Sequence, residues 1–404
     1  MIFIVDRFVE EHSHVLANVN TVKILNLIFP NQSKIFIAEE LHSKLVQNYF
    51  EKEEYNKIEF QNYKNSKFAT NNIFVQFFRV FCRTFNDIVF FLNLFRSLKN
   101  NIDSIVFLTH IYPVSLPFVL ICKKFYPKTK LIITIHGEIE YLFYGKSRYE
   151  KLIGKIYDCA FNIKAKNVCY LFLTKISKKI LMDSGKLKNN EIITIILPTL
   201  LNNDAFLDQS QLNYPIRIGH IGSAGKRKNV DLLFEIGADL KDEIKNRNLI
   251  LSAIGPIEEN LKSYINDYVV NFVNGKVNVH LERETFNNEI KKIHYSVFFY
   301  GPNDFVLRSG AAFFDAIYYQ KPLIVLRNAF FEGIFEEAGN IGYICNSKDE
   351  MIFLIQKIIS NDPTIKDDYQ MQLYNIQQYK KTLDLKHIAN DMTEQINEIG
   401  FAII

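Results

Sequence analysis

The stretch Ile216-Arg-Ile-Gly-His-Ile-Gly-Ser-Ala-Gly-Lys-Arg-Lys228 shows the pattern that decides the fold of this chain. Its apolar first part, Ile216–His220, predicts a buried strand, and an amphipathic helical segment begins near Asn229. Between the two lies a turn that contains Gly222, Gly225, Lys226, Arg227 and Lys228. Glycines at a strand-to-helix turn let backbone N–H groups approach a phosphate closely, and the cations supply the opposite charge. The spacing matches neither a Walker A loop nor the dinucleotide-binding fingerprint, so a phosphate-binding loop and an ordinary surface turn both remain open.

Short apolar, β-branched runs alternate with segments of helical period along the whole chain. In the first half the strand candidates are Ile2–Val5, Lys34–Ala38, Ser104–Thr109, Leu131–Ile135, Cys169–Leu173 and Glu191–Ile196. In the second half they are Ile216–His220, Asn248–Ile254, Val277–Leu281, Ser296–Tyr300, Pro322–Val325 and Ile341–Ile344. The helical segments between them include Asp231–Glu243, Asn287–His294, Gly310–Tyr319 and Lys348–Ile359. This alternation predicts an α/β protein with two doubly wound parallel sheets and a cleft between their carboxyl ends.

A chain of 404 residues is long enough for two domains. The polar segment Pro198–Pro215 is the best linker candidate, which predicts an N-terminal domain over residues 1–200 and a C-terminal domain over 201–384. Residues after about Asp367 look helical, and a last helix at about 385–404 is a candidate to pack back on the first domain.

The net charge of +4 hides an asymmetry between the halves. Residues 1–200 carry 27 Lys and Arg against 17 Asp and Glu, whereas the rest carry 21 against 27. One interpretation is a compositional drift toward Lys, Asn and Ile. The other is that the basic half meets an anionic surface, either phospholipid headgroups or a phosphorylated lipid carrier.

The segment Asn72–Lys99 is rich in phenylalanine and also carries arginine. Aromatic stripes at helical spacing pack into cores, and basic aromatic helices also lie in membrane interfaces, so both interpretations stay open. The longest uncharged stretch, Ser104–Cys122, contains two prolines and predicts a strand, a turn and a helix beginning near Pro113 rather than a membrane span.

The N-terminus lacks the pattern of a secretory signal, and the five cysteines form no close pair. These features predict a reduced, cytoplasmic protein, peripheral to the inner face of a bacterial plasma membrane if the basic half binds lipid.

A second constellation runs from Tyr300 to Asp315. An apolar strand ends at Tyr300, a loop follows, and a helix begins at Ser309-Gly310-Ala311. The first amides of that helix are suited to a diphosphate, and Asp315, one and a half turns inside, is placed to bond ribose hydroxyls.

A third constellation is Leu131–Glu140, a buried strand that runs into His136-Gly137-Glu138 and then Glu140. Ligands of open sheets bind at the carboxyl ends of strands. His136 could therefore donate to a sugar hydroxyl or a phosphate, and either glutamate could act as a base. In the loop after the first strand, His14 is a candidate to bind the acceptor. His12 and His14 could also ligate a metal, but the sequence indicates no third ligand.

With these motifs the sequence resembles GT-B glycosyltransferases, closest in character to the nucleotide-sugar-dependent family four. The resemblance covers nearly the whole chain. His136-Gly137 resembles the motif of the family's first domain, Lys228 matches the lysine that grips the donor diphosphate, and Asp315 resembles the glutamate that contacts ribose. The Gly255-Pro256 turn resembles the one after the second strand of the C-terminal domain, and Arg283 lies where the base is cradled.

Two positions depart from the family pattern. Ser223 stands where the family has an arginine, with Lys226 and Arg227 as candidates to compensate. Leu307 stands where the family has the sugar-contacting glutamate, and the following residues, Arg308-Ser309-Gly310, place a cation near the diphosphate.

The resemblance implies a retaining hexosyltransferase that works without a cofactor. Lys228, Arg308 and the amides near Gly310 would neutralise the departing nucleoside diphosphate without a metal, and no Asp-x-Asp motif for Mg²⁺ stands out. The expected partners are a UDP- or GDP-linked sugar and a glycolipid or oligosaccharide acceptor of cell-surface glycan biosynthesis, such as lipopolysaccharide or capsule, and no nucleic acid. Two alternatives remain, a nucleotide-sugar epimerase on the same fold and a non-catalytic GT-B subunit.

Overall fold

Two parallel sheets organise the chain, each within its own structural unit. The computed structural model describes residues 1–10, 14–50, 58–63, 73–99, 104–198, 212–273 and 275–401. Unit 1 comprises Met1–Thr199, Leu307–Ser309 and Leu385–Ile404, and unit 2 comprises Leu200–Val306 and Gly310–Asp384.

The sheet of unit 1 has seven parallel strands in the order β3-β2-β1-β4-β5-β6-β7. They are β1 (Ile2–Asp6), β2 (Lys34–Glu39), β3 (Ile58–Tyr63), β4 (Ile105–His110), β5 (Lys130–Ile135), β6 (Val168–Phe172) and β7 (Ile192–Thr194). Except at β3, nearly every residue of these strands is buried, because helices cover both faces of a parallel sheet. The strand order reverses between β1 and β4, and such a reversal opens a crevice at the carboxyl edge of the sheet.

The helices of unit 1 connect these strands. They are α1 (Val15–Ile28), α2 (Glu40–Gln47), α3 (Ile73–Ser97), α4 (Leu116–Lys124), α5 (Tyr141–Tyr144), α6 (Arg148–Asn162) and α7 (Ile176–Asp183). The uncharged stretch Ser104–Cys122 forms β4, a short 3₁₀ turn and most of α4, which confirms the prediction for it. Among the described helices, none has both the length and the apolar composition that a bilayer crossing requires.

Helix α3 divides along its length between core and surface. Phe91 and Phe95 are fully buried, whereas Phe78, Phe81 and Phe85 are more than half exposed. The core interpretation therefore holds for the second half of the segment, whereas the first half presents phenylalanine rings to the surroundings and its membrane contact stays a prediction.

The sheet of unit 2 has six parallel strands in the order β10-β9-β8-β11-β12-β13, with a reversal between β8 and β11. They are β8 (Ile216–Ile221), β9 (Leu249–Ile254), β10 (Val269–Asn271), β11 (Tyr295–Phe298), β12 (Leu323–Leu326) and β13 (Gly342–Cys345). Its helices are α8 (Asp231–Asp239), α9 (Lys241–Lys245), α10 (Arg283–Lys292), α11 (Ala311–Tyr318), α12 (Ala329–Ala338), α13 (Lys348–Ile359) and α14 (Pro363–Thr382).

The last helix of the chain, α15 (Leu385–Glu398), belongs to unit 1. Its apolar face joins the core around β1, and it packs against α1 and β7. The Gln395 side chain accepts a hydrogen bond from the Thr194 amide at 2.9 Å and donates to the Thr194 carbonyl at 2.8 Å. This side chain therefore pairs with β7 much as a neighbouring strand would.

One strand prediction was wrong, and one strand was not predicted. Val277–Leu281 is not a strand, because left-handed backbone at Gly275 and Asn278 turns the chain there, and the sixth strand of the sheet is β10 instead. The edge strand β3 was missed because its sequence Ile-Glu-Phe-Gln-Asn-Tyr is mostly polar and partly exposed. One predicted helix, Asp231–Glu243, is divided at Leu240 into α8 and α9. The predicted linker lies mostly outside the described residues, which omit 199–211.

Two helical glycines provide a matched test of the packing in this fold. In α6, a Cβ on Gly154 would collide with the Tyr141 carbonyl oxygen and lie 3.1 Å from the Leu142 Cα, whereas a Cβ on Gly333 in α12 would have no neighbour within 4 Å. We expect Gly154→Ala to lower the free energy of unfolding by about 1–3 kcal/mol through overpacking. We expect Gly333→Ala to raise it by up to about 1 kcal/mol through helix propensity. Urea unfolding followed by circular dichroism measures both, and effects of the same sign would contradict this packing.

Candidate functional site

The glycine turn after β8 lies directly beside the turn after β9 in unit 2. The Gly222 amide donates to the Ile254 carbonyl, and the Ala224 amide donates to the Pro256 carbonyl, both at 2.8 Å. A Cβ on Gly255, where φ is +145°, would lie 2.7 Å from the Gly222 carbonyl carbon. Position 255 therefore requires glycine, because the two backbones approach each other closely there. The turn that begins at Gly222 and the Gly255-Pro256 turn are thus joined at the carboxyl edge of the sheet, and we call this pair of turns the ledge.

The start of α11 lies against the same ledge. A Cβ on Gly222 would be 3.1 Å from the Cβ of Ala312, in the first turn of that helix. The helix begins after Gly310, which has no side chain to cap its first amides. The structure therefore brings together two constellations that the sequence placed about ninety residues apart, the glycine turn and the helix start at Gly310-Ala311.

Of the three cations in the glycine turn, Lys228 lies closest to the ledge. Its Nζ donates to the Ser223 carbonyl at 2.9 Å. Burial lowers the pKa of Lys228, and the Glu258 carboxylate opposes that shift. Lys226, by contrast, is exposed and donates to the Tyr264 hydroxyl at 2.8 Å, and Arg227 is exposed as well. Lys228 is thus the partly desolvated cation at the glycine turn.

Glu258 is a residue of this region that the sequence analysis missed. It accepts a hydrogen bond from the Ser223 hydroxyl at 3.1 Å and another from Asn260 at 3.0 Å. The only signal in the sequence was its position two residues after the Gly255-Pro256 turn, which does not reveal the contact. The carboxylate therefore holds the glycine turn through the Ser223 hydroxyl.

Asp315 and Arg283 face each other in unit 2. The Arg283 Nη2 lies 3.3 Å from Asp315 Oδ1, and burial raises the pKa of Asp315 while the guanidinium opposes that shift. The residue assigned to ribose and the residue assigned to the base are therefore neighbours.

The segment Leu307–Ser309 is attached to unit 1. The Leu307 amide donates to Glu140 Oε1 at 3.1 Å, Arg308 Nε lies 2.6 Å from Glu140 Oε2, and the Ser309 hydroxyl donates to the Leu173 carbonyl at 2.7 Å. Glu140 is thus the anchor of this segment as well as the acceptor-site candidate of the sequence analysis. A Cβ on Gly137 would lie 2.5 Å from Arg308 Cγ, so the turn after β5 needs a glycine where the arginine crosses it.

Three histidines meet at the carboxyl edge of the sheet in unit 1. The rings of His110 and His136 stack with their centroids 3.8 Å apart, and His14 stands nearly perpendicular to both, at 5.3 Å and 5.5 Å. Burial lowers the pKa of His110 well below its ordinary value and lowers that of His14 too. His110 was missed in the sequence, where it only ends an apolar strand. Glu138, assigned as a base, is near enough to His14 to favour its protonated form.

Comparison with known proteins identifies the fold. No protein-family model and no curated protein sequence matches the chain. Among solved structures, it is similar to WaaG, a glycosyltransferase involved in lipopolysaccharide biosynthesis, at 11% identity and a TM-score of 0.56 over 98% of this chain and 99% of that one. It is similar to a UDP-forming α,α-trehalose-phosphate synthase from Burkholderia xenovorans at 10% identity and a TM-score of 0.60, over 99% and 100%.

A third similar structure is TarM of S. aureus, at 15% identity and a TM-score of 0.54, over 77% of this chain and 58% of that one. Together with the two sheets, these likenesses show that the chain has the α/β GT-B fold, and they confirm the resemblance to GT-B glycosyltransferases.

The ion pair of Glu140 with Arg308 leads to a stability prediction. The Glu140 side chain is 5% exposed and that of Arg308 is 18% exposed. We expect Glu140→Gln to lower the free energy of unfolding by up to about 3 kcal/mol, because it leaves a largely buried guanidinium without its counter-charge. The control is Glu40→Gln, which removes an exposed pair with Lys44 and should change it by less than about 1 kcal/mol. Urea unfolding compares the two, and equal losses would contradict the buried pair.

Proposed function

We propose that the protein is a glycosyltransferase that moves a hexose from a nucleotide-diphosphate sugar to a glycolipid or polysaccharide intermediate of cell-surface glycan biosynthesis. The transfer proceeds with retention of configuration and without a metal. One observation carries the proposal: the glycine turn after β8, with the Lys228 ammonium on it, lies against the uncapped first turn of α11.

Similar structures support the proposal. WaaG is a glycosyltransferase of lipopolysaccharide biosynthesis, the trehalose-phosphate synthase is UDP-forming, and TarM has been crystallised with UDP. The proposed donor and the proposed class of acceptor are thus chemistries found on this fold.

The chemical task of unit 2 is to stabilise the leaving group. When the glycosidic bond to the diphosphate breaks, negative charge builds up on the phosphate oxygens. Lys228 is already partly desolvated, and its Nζ needs only to exchange the Ser223 carbonyl for a phosphate oxygen. The amides at Gly310 and Ala311 add the positive end of the helix dipole, so that the charge meets preorganised donors. Lys226 and Arg227 remain in solvent, where they would attract the anionic donor.

Asp315 and Arg283 fit the nucleoside end of the donor. A carboxylate within α11 is suited to accept hydrogen bonds from both ribose hydroxyls, and the adjacent guanidinium opposes the upward shift that burial gives the pKa of Asp315. The ledge at Gly255-Pro256 would bound the same subsite.

In unit 1, His136 and Glu138 are proposed to act on the reacting sugar hydroxyls, with His14 and Gly137 on the acceptor side. Arg308 would add positive charge for the departing diphosphate, since its Nη2 has no hydrogen-bond partner among the described residues. Glu140 acts by holding Arg308 rather than as a base.

A non-catalytic subunit is the second candidate, because Leu307 is only 5% exposed and offers no carboxylate to the donor sugar. Calorimetry with UDP and GDP distinguishes the enzyme from the subunit. The enzyme binds one of the two nucleotides, whereas a subunit that has lost its donor site binds neither. An epimerase would instead convert the donor sugar without an acceptor.

The first test replaces Lys228. With membranes and a panel of labelled nucleotide sugars, we expect Lys228→Ala to lower turnover at least about a hundredfold, as is typical for loss of one donor to a developing anion. The control is Lys262→Ala, an exposed lysine of unit 2 whose ion pair among the described residues is with nearby Glu259. Unchanged turnover in Lys228→Ala, with an unchanged melting temperature, would remove this lysine from the site. Nuclear magnetic resonance of the product determines whether the anomeric configuration of the sugar is retained. Turnover measured in the presence of a chelator determines whether the reaction needs a metal.

The outer faces of three neighbouring helices are proposed to bind an anionic membrane. Helix α4 packs between α3 and α6. Among the described side chains, the exposed apolar ones on these helices are Val75, Phe78, Phe81, Phe85, Val89, Phe118, Ile121, Tyr149 and Leu152, and Phe125 directly follows α4. Exposed cations on the same helices are Arg79, Arg96, Lys124, Arg148 and Lys151. Aromatic rings among cations match the boundary between acyl chains and anionic headgroups.

The membrane face has a matched test. The Phe81 and Phe85 side chains are 67% and 56% exposed on α3, and Phe353 is 69% exposed on α13 of unit 2. We expect Phe81→Ser with Phe85→Ser to weaken sedimentation with phosphatidylglycerol vesicles at least about tenfold, because each buried phenylalanine is worth about 1.5–3 kcal/mol. Phe353→Ser should leave binding unchanged. Equal binding by all three proteins would exclude this face, and equal binding to phosphatidylcholine would exclude the charge contribution.

A further inference from the structure

The Tyr300 side chain is held in one orientation by stacked rings in unit 2. Tyr300 lies two residues after the end of β11 and is 1% exposed. Its ring is nearly parallel to that of Phe305, with the centroids 4.1 Å apart, and to that of Phe331, at 5.3 Å. Phe305 is in left-handed backbone with φ +60°, which bulky side chains rarely adopt. The stack therefore fixes the place of the Tyr300 hydroxyl.

This hydroxyl is directed at the start of α11. A Cβ on Gly310, the residue immediately before that helix, would lie 3.1 Å from Tyr300 Oη, 3.6 Å from Cε2 and 3.8 Å from Cζ. Since the oxygen is the nearest of these atoms, the hydroxyl end of the side chain points toward Gly310. Both residues belong to unit 2. Because position 310 has no side chain, the hydroxyl faces the space that a side chain there would fill.

The Tyr300 hydroxyl has no partner in that space. Its oxygen is buried and forms no hydrogen bond with the described residues. A buried polar atom without a partner costs free energy, and such atoms are uncommon. No side chain caps the first amides of α11 either. Amide N–H groups only donate, so a ligand that satisfies both the helix start and the hydroxyl must supply oxygen acceptors.

The charge around the hydroxyl suits an anionic acceptor. Burial raises the pKa of Tyr300 far above its ordinary value, so the hydroxyl keeps its proton and can donate. The first turn of α11 lies against the glycine turn through Ala312 and Gly222, and that turn carries Lys228. A helix start and an ammonium group both favour negative charge.

We propose that the Tyr300 hydroxyl donates a hydrogen bond to a phosphate oxygen of the nucleotide diphosphate bound at the start of α11. This inference rests on the proposed function, since it adds a donor to the same diphosphate site. The phosphate oxygen enters the space beside Gly310, where it gives the buried hydroxyl its missing acceptor. Because the oxygen is charged before the glycosidic bond breaks, the hydrogen bond contributes to nucleotide affinity itself.

The test is calorimetry of the full chain with UDP and GDP. Tyr300→Phe keeps the stacked ring and removes only the hydroxyl. We expect it to weaken binding of the preferred nucleotide about ten- to a hundredfold, the range for a hydrogen bond to a charged group. The melting temperature without nucleotide should be unchanged or higher, because the variant no longer buries an unpaired hydroxyl. A purely structural role would instead lower the melting temperature.

A second variant fills the space and leaves the hydroxyl in place. Gly310→Ala puts a methyl group 3.1 Å from Tyr300 Oη, so it should also weaken nucleotide binding at least about tenfold. The double variant should bind no more weakly than Gly310→Ala alone, since the methyl group already separates the phosphate from the hydroxyl. Fully additive losses would contradict a shared contact.

The control is Tyr369→Phe on α14. Tyr369 is also 1% exposed, and its hydroxyl also has no hydrogen-bond partner among the described residues. Its replacement should leave nucleotide affinity unchanged. Equal affinity of the Tyr300→Phe and unmodified proteins, or equal losses in Tyr300→Phe and Tyr369→Phe, would overturn this inference while the donor site stands. If the unmodified chain binds neither nucleotide, the proposed donor site is overturned and this inference with it.

Discussion

Parallel pairing at the two points of strand-order reversal is the constraint on which both candidate sites depend. In unit 1, β1 pairs with β4, and in unit 2, β8 pairs with β11. At each reversal the connections leave the sheet toward opposite faces, so the loops diverge and backbone groups at the sheet edge stay accessible. The cluster of His14, His110 and His136 lies at the first reversal, and the glycine turn with the start of α11 lies at the second.

Most strands could be predicted because parallel strands covered on both faces are continuous apolar runs. β3 is an edge strand with half-exposed polar side chains, so its sequence carries no such signal. Val277–Leu281 has the apolar composition of a strand but follows a glycine turn and contains Asn278 in left-handed backbone. Composition alone does not reveal that a turn takes those residues out of the sheet.

The motifs of the candidate sites could be predicted from the sequence, but the contacts between their residues could not. Glycine turns and cations are visible in the sequence. The sequence does not show which of Lys226, Arg227 and Lys228 contacts the glycine turn, because that depends on the turn conformation, in which Ser223 bonds both Glu258 and Lys228. The pairing of Glu140 with Arg308 joins residues 168 positions apart. His110 looked like the end of a buried strand, and only its neighbours across the sheet make it part of a cluster.

The place of α15 affects how the chain folds during synthesis. Because this helix completes the core of unit 1 and pairs with β7 through Gln395, the first unit remains unfinished while the ribosome makes all of unit 2. The apolar face of α1 that receives α15 therefore stays without its native cover in the nascent chain until the last helix has been made.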